Sequence, residues 1–254
     1  MTTTNAGEAA TAPAPSHRRI LGAAMAGTAV EFYDFYIFAT AASLVFGPLF
    51  FPQSSPEAQL LQSWLTFALA FIARPVGALV FGHYGDRIGR KATLVWSLMI
   101  MGVSTFLIAL LPTYAVAGWI APALLCLLRF GQGFGLGGEW GGAALLAVEN
   151  APKGKVARYG MFPQLGAPVG FILSNGLFLI LGLILSDSEF REWGWRIPFV
   201  LSALLVGIGL WVRLRLTETP AFAAALEEAP PPRVPMAEVV RSHPRQLFGG
   251  TFAA

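Results

Sequence analysis

Hydrophobic blocks of membrane-spanning length alternate with short polar stretches along most of this chain. A helix needs about 20 predominantly apolar residues to cross the hydrocarbon core of a bilayer, so each such block predicts one spanning helix. The six predicted spans cover approximately residues 20–46, 60–82, 92–111, 118–148, 159–185 and 197–212. The third span carries no charged side chain, and clusters of Pro, Ser and Gly separate several of the others.

The segments outside these blocks differ in composition. Residues 1–17 are rich in Ala, Thr and Pro and predict a disordered cytoplasmic tail. Residues 18–215 contain the six spans, and residues 216–245 form a polar, Pro-rich stretch that predicts a cytoplasmic loop. Residues 246–254 turn apolar again and predict the start of a seventh helix. The predicted fold class is an all-α membrane protein.

Lysine and arginine fall unevenly around the predicted spans. In a six-helix arrangement, 13 of the 17 basic residues lie on one side, namely Arg18, Arg19, Arg87, Arg90, Lys91, Lys153, Lys155, Arg158, Arg213, Arg215, Arg233, Arg241 and Arg245. Arg191 and Arg196 lie on the other side. Because cytoplasmic loops carry the excess of positive charge, this pattern predicts that both ends of the bundle are cytoplasmic.

Composition excludes several classes of protein. The chain is 55% hydrophobic and 12% charged, whereas a soluble domain has about 25% charged residues. The net charge of +3 is spread between apolar blocks rather than gathered into a stripe, which argues against nucleic-acid binding. One cysteine and three scattered histidines (17, 83 and 243) argue against a metal or nucleophile site. We therefore expect no metal and no cofactor.

Charged residues inside the predicted spans are the candidates for chemistry, because a charge near the bilayer centre costs at least a few kcal/mol. They are Glu31, Asp34, Arg74, Arg129 and Glu139. Glu31 and Asp34 are three residues apart, so both side chains leave the first helix on nearly the same face. They predict a carboxyl pair that faces a cavity and exchanges a proton. The alternative is a pair of structural ion pairs.

Glycines mark two of the spans. In the fourth, Gly133, Gly137 and Gly141 recur every four residues, which predicts close packing against another helix. In the fifth, Pro163, Gly166, Pro168 and Gly170 predict a bent helix, which serves either as a flexing gate or as a static kink.

Two motifs carry a resemblance to a known family. The stretch Gly82-His-Tyr-Gly-Asp-Arg-Ile-Gly-Arg-Lys91 resembles the loop signature of the major facilitator superfamily, and Arg129-x-x-Gln132-Gly133 resembles a second signature on its fourth helix. Residues 30–36, 74–77, 137–142, 193–198 and 218–220 are similar to the metabolite:proton symporters, whose members carry shikimate, 2-oxoglutarate, citrate, or proline and betaine. The resemblance extends from about Arg18 to Pro220.

This resemblance implies a fold of two six-helix bundles, each built from 3+3 inverted repeats, with the substrate held between them. The sequence supplies the N-terminal bundle, so the resemblance implies a C-terminal six-helix half in a full-length form. Either the sequence is partial, or two such halves associate.

The resemblance also assigns roles to individual residues. Asp34 is expected to carry the coupling proton, with Glu31 as the second candidate and Arg129 as the group that governs protonation. Glu139 is expected either to end the proton path or to pair with a basic residue. The expected substrate-binding residues are Arg74, Arg129, Gln132, Tyr33 and Tyr36. A cytoplasmic charge network is expected to close one state of the transporter and to comprise Gly82, Asp86, Arg87, Gly89, Arg90, Lys91 and Glu149.

Together these features predict a secondary active transporter in the bacterial inner membrane that moves a small metabolite with H+. Two arginines in a medium of low dielectric constant favour an organic anion. A zwitterion such as betaine or proline is the alternative substrate. The alternative functions are a non-transporting remnant of such a transporter and a membrane-embedded enzyme or receptor.

Overall fold

Helices make up all the regular structure in the part of the chain that the computed structural model describes, which is residues 17–88, 90–138, 151–152 and 154–214. In chain order they are α1 (His17–Ala41), a π-helical segment (Ala42–Phe46), α2 (Gly47–Phe50), α3 (Pro56–Ile88), α4 (Arg90–Ala109), α5 (Tyr114–Ala117), α6 (Ile120–Gly137), α7 (Val156–Ile184), α8 (Asp187–Glu192), a 3-10 turn (Gly194–Arg196) and α9 (Ile197–Leu214).

Six stretches of the described residues are long and apolar enough to cross a membrane. They are Met25–Phe50, Pro56–Gly85, Ala92–Ala109, Ile120–Gly137, Val156–Ile184 and Gly194–Trp211. Each overlaps one predicted span, so the predicted all-α architecture with six spans is confirmed. Residues 139–148 of the predicted fourth span lie outside the described residues. The segments predicted as a cytoplasmic loop (216–245) and as the start of a seventh helix (246–254) lie outside the described residues.

The boundary between the second and third spans differs from the prediction. The sequence predicted that the second span would end near Gly82 and that a loop would follow as far as Lys91. Instead α3 continues to Ile88 and α4 begins at Arg90. The apolar block ends before the helix does, because charged residues form helices readily once they project beyond the hydrocarbon layer. Hydropathy therefore located the membrane boundary, while the helix end lies farther on.

The glycines of the fifth span have a packing role. Proline residues 163 and 168 lie inside the continuous helix α7. A Cβ atom on Gly166 would come within 2.6 Å of the Thr28 side chain of α1, and one on Gly170 would come within 2.7 Å of the Tyr33 backbone nitrogen. These glycines therefore let α7 pack closely against α1.

Glycines also form the contact between α3 and α6. A Cβ atom on Gly77 would fall on the carbonyl group of Phe134, and one on Gly137 would fall on the carbonyl oxygen of Arg74. Gly133 meets the backbone of Ala70 in the same way. The predicted role of Gly133 and Gly137 in close helix packing is confirmed, while Gly141 lies outside the described residues.

Aromatic rings fill the end of the bundle where the first span leaves α1. Phe46 closes the π-helical segment, and its ring lies 5.6 Å from that of Trp195 and 5.4 Å from that of Phe50. Trp195 also packs edge-on against Phe199, at 5.9 Å. These four side chains are buried and fix the position of α9 beside the first span. That position brings Ser202 of α9 to the polar centre described next.

Candidate functional site

Asp34 is the centre of a polar cluster in the middle of the bundle. Only 2% of the residue is exposed. Its Oδ2 atom accepts a hydrogen bond of 2.9 Å from the Thr105 hydroxyl of α4, and its Oδ1 atom accepts one from the Ser202 hydroxyl of α9. A carboxyl group buried at this depth is retained only where donors compensate for the water it has lost. Here both oxygens have such donors.

Arg129 projects from α6 into the same region and is equally buried, with 2% exposed. Its guanidinium carbon lies 4.0 Å from the centre of the Phe38 ring and 4.6 Å from that of Phe67, distances at which a cation is attracted by the ring face. Its Nε atom donates to the carbonyl oxygen of Phe67 at 3.3 Å. The Nη2 atom is buried without a hydrogen-bond partner. Arg129 therefore keeps an unused donor in the interior.

A relay of two side chains connects the arginine to the carboxyl group. Arg129 Nη1 donates to Gln132 Oε1 at 3.0 Å, and Gln132 Nε2 donates to Thr105 Oγ1 at 2.7 Å. Thr105 then donates to Asp34. Gln132 is one turn beyond Arg129 on α6, so the helix itself places both on the inward face. The structure brings Asp34 and Arg129 into the same cluster, with Gln132 and Thr105 between them.

Arg74 and Glu31 complete the centre. Glu31 is buried on α1, and Arg74 of α3 lies with its guanidinium carbon 4.8 Å from the Phe71 ring and 5.3 Å from the Phe35 ring. The Nε atom of Arg74 is buried without a hydrogen-bond partner. A cavity of about 10 Å³, which is room for about one water molecule, is lined by residues that include Glu31, Asp34, Phe35, Arg74, Arg129 and Gln132.

The two predicted tyrosines lie in different surroundings. The Tyr33 hydroxyl is buried and donates to the Pro198 carbonyl oxygen at 2.9 Å, so it joins α1 to α9. The Tyr36 ring lies 5.2 Å from that of Phe171 on α7. Neither tyrosine is among the residues that line the small cavity.

The predicted cytoplasmic charge network remains a prediction. Gly82, Asp86 and Arg87 lie in the last turns of α3, and Arg90 and Lys91 lie in the first turn of α4. Gly89 and Glu149 are outside the described residues, as is Glu139, the predicted end of the proton path. The backbone thus places five members of the network at one end of neighbouring helices.

Thr105, Ser202 and the Phe67 carbonyl group are parts of the site that the sequence did not reveal. Serine and threonine inside a membrane helix commonly bond to the carbonyl oxygen four residues earlier, so their presence alone predicts no partner. Thr105 does make that bond, to Met101 at 2.9 Å, and contacts Asp34 as well. Predicting Thr105 and Ser202 as site residues would have required knowing that α4 and α9 both pack against the polar centre.

The bundle of six membrane-length helices and its buried charged centre define a multi-pass membrane protein. Residues 20–229 match the family model for the sugar (and other) transporters. The chain belongs to this family of the major facilitator superfamily, as the loop and fourth-helix motifs had indicated.

Relatives and solved structures agree with this assignment. The chain is 57% identical over 240 residues to an inner membrane metabolite transport protein of Escherichia coli K12, covering 94% of this chain and 54% of that protein. It is 45% identical over 229 residues to the shikimate transporter of the same strain, covering 89% and 52%. The proton:xylose symporter XylE has the same fold, with a TM-score of 0.71 at 19% identity, covering 82% of this chain and 46% of XylE.

These relatives are named as transporters and not as enzymes. The chain spans about half the length of the curated relatives it matches.

Proposed function

We propose that this chain belongs to a secondary active transporter that carries a small organic anion together with a proton. The single observation that supports this most strongly is the buried relay from Arg129 through Gln132 and Thr105 to Asp34. The relay connects Asp34, which can bind a proton, with Arg129, a cation that has an unused hydrogen-bond donor. The coupling ion is H+, and no metal or cofactor enters the proposal.

The relay links proton and anion through charge balance. With Asp34 ionised, its negative charge offsets part of the positive charge of Arg129 and Arg74 in a region of low dielectric constant. When Asp34 takes a proton, that offset is lost and the two guanidinium groups favour an anion. The substrate thus binds most strongly to the protonated carrier, which is the condition for symport.

The size of the cavity limits what enters it. The cavity has room for about one water molecule, so the acid group of a substrate enters only when the cavity widens. Arg129 and Arg74 both line it, and each has a buried nitrogen without a hydrogen-bond partner. Phe35 lines this cavity, and the exposed ring of Phe71 packs against it at 5.8 Å, so the rest of the substrate lies along this aromatic surface. A small carboxylate with an apolar or ring-shaped body suits this surface, since Arg binds carboxylates and aromatic faces bind rings.

The predicted location is the bacterial inner membrane, with the N-terminus in the cytoplasm. Lys155 directly precedes α7 and Arg158 lies in its first turn, at the bundle end where α3 and α4 meet. Arg191 and Arg196 lie at the opposite end. The positive-inside rule assigns the first of these ends to the cytoplasm.

Protease-cleavable tags inserted at Gly154 and at Ser188 test this orientation in oriented membranes. The tag at Gly154 should be cut from the cytoplasmic side, and the reverse pattern would overturn the orientation.

The decisive experiment is uptake of labelled shikimate, 2-oxoglutarate, citrate, betaine and proline into vesicles that contain this chain. Uptake is measured with an inward proton gradient and with the gradient collapsed, beside protein-free vesicles. Gradient-dependent accumulation of an acid is the expected result. Accumulation of betaine or proline alone would support the zwitterion alternative. No uptake by protein shown to span the membrane would favour the non-transporting alternative.

A further inference from the structure

The Thr105 side chain makes three polar contacts through its single hydroxyl oxygen. Its Oγ1 atom lies 2.9 Å from Asp34 Oδ2, 2.9 Å from the Met101 carbonyl oxygen and 2.7 Å from Gln132 Nε2. A hydroxyl group has one hydrogen to donate and can accept two. Gln132 is a donor, so Asp34 and Met101 compete for the single hydrogen at equal distances. Thr105 is fully buried, so water does not take either place.

Both protonation states of Asp34 are satisfied by this arrangement. When the carboxyl group is ionised, Thr105 donates to Oδ2 and Ser202 donates to Oδ1. When a proton from the aqueous phase adds to Oδ2, the new O–H donates to Thr105 Oγ1, and Thr105 turns its hydrogen to the Met101 carbonyl oxygen. Ser202 still donates to Oδ1. No other covalent bond changes, and the bonding capacity of Thr105 is filled without being exceeded.

We propose that Thr105 is a positioning residue that acts as a hydrogen-bond switch for protonation of Asp34. A buried polar atom that loses its hydrogen-bond partner is destabilising, so a carboxyl group that titrates inside a protein needs a neighbour that both donates and accepts. Thr105 is that neighbour, and Gln132 keeps its bond to Thr105 in both states. The proposal rests on the proposed role of Asp34 as the proton carrier.

Thr105 is uncharged, whereas three charged side chains among the described residues face Asp34. Glu31 lies one turn away on α1, Arg74 approaches from α3 and Arg129 from α6, and all three line the cavity with Asp34. From α4 and α9 the contacts are the uncharged hydroxyls of Thr105 and Ser202. From α7, Gly166 and Gly170 pack against α1. The switch therefore adds no charge of its own and leaves the balance to be set by the proton on Asp34.

Infrared difference spectroscopy of the lipid-reconstituted chain tests the switch without requiring transport. Spectra at acidic and alkaline pH report protonated carboxyl groups, and the band that Asp34→Asn removes belongs to Asp34. In Thr105→Val, this band should shift to a higher wavenumber, because the Asp34 O–H loses its acceptor. Thr105→Ser should restore the original position. Thr105→Ala serves as the second variant if Thr105→Val does not insert.

Thr66→Val is the matched control. Thr66 is a buried threonine of α3 that donates to the carbonyl oxygen four residues earlier, at 2.9 Å, as Thr105 does, and it contacts Cys126. Its substitution should leave the Asp34 band in place. An unshifted band in Thr105→Val, or an equal shift in Thr66→Val, would overturn the switch while leaving proton binding intact. A complete lack of a band that depends on Asp34 would overturn both the switch and the proton-carrying role in the proposed function.

Discussion

Gly77 of α3 and Phe134 of α6 are in backbone contact, so close that a Cβ atom on the glycine would overlap the Phe134 carbonyl group. Gly133 and Gly137 repeat this contact on either side, against Ala70 and Arg74. The α3–α6 interface is therefore a glycine seam in which main chain packs on main chain. The same seam sets the spacing between Arg74 and Arg129, since each arginine lies on one of the two helices.

Replacing Gly77 with alanine should destabilise the bundle. The added methyl group has no space, and overpacking of this kind costs about 1–3 kcal/mol. The thermal unfolding midpoint of the detergent-solubilised protein measures the effect. Gly176→Ala is the control, because nothing lies within 4 Å of a Cβ atom at that position of α7. A Gly77→Ala midpoint equal to the control's would contradict the glycine seam.

Replacing Asp34 with asparagine should abolish accumulation driven by a proton gradient. The amide is close in size to the carboxyl group but cannot exchange a proton, while Thr105 and Ser202 keep partners. Substrate exchange at equal concentrations across the membrane should persist, since it needs no net proton movement. Accumulation that is unchanged in Asp34→Asn would rule out Asp34 as the carrier. Glu31→Gln is the parallel variant, because Glu31 is the second candidate.

Replacing Arg74 with methionine should weaken binding of the acid substrate. A hydrogen bond to a charged group contributes about 1.5–3 kcal/mol, which corresponds to about a tenfold to hundredfold rise in the half-saturation concentration. Arg74→Lys should retain part of the affinity, since the charge remains while the planar contact with Phe35 and Phe71 is lost. Equal affinities of Arg74→Met and the parent protein would remove Arg74 from the binding site.

Replacing Arg196 with methionine should loosen the end of α4. The Nη1 atom of Arg196 donates to the carbonyl oxygens of Ala109 and Leu111, where α4 ends, and the side chain stacks on Trp195. Loss of these charge-assisted bonds should cost about 1.5–3 kcal/mol in the free energy of unfolding. Arg191→Met is the control on an exposed arginine nearby. The assignment fails if both variants unfold at the same temperature.

The short helix α8 should lose protection at acidic pH. Ser186 and Glu189 form a capping box, and the hydrogen bonds from the Ser186 side chain and backbone hold the pKa of Glu189 below its ordinary value. Because the pKa is lowered in the folded state, this stabilisation is complete above the unfolded-state pKa and is lost as pH falls through the folded-state pKa.

Hydrogen exchange of the α8 amides measures this pH effect. Parent protein should be better protected than Glu189→Gln at neutral pH, and the difference should shrink as the solution becomes acidic. Glu192→Gln, at the other end of the same helix, controls for a general loss of charge. A difference that stays constant with pH would show that the Glu189 carboxylate does not stabilise α8.

The sequence predicted the bundle more completely than the site. Spans are visible because the bilayer imposes a length on every apolar block, and Arg129 and Asp34 are visible because charge is rare there. The helical continuation to Ile88 was missed because hydropathy reports the edge of the lipid and not the end of a helix. Thr105 and Ser202 were missed because a hydroxyl in a membrane helix already has a local acceptor. Their second partner depends on which helices are neighbours.

The polar contacts of Asp34 have a consequence for the order in which the protein assembles. Its two hydrogen-bond donors lie 71 and 168 residues farther along the chain. During synthesis the first span therefore reaches the membrane with its carboxyl group before either donor exists, and the second arrives only with α9. The interior contacts of α1 are therefore complete only after α9 has been made.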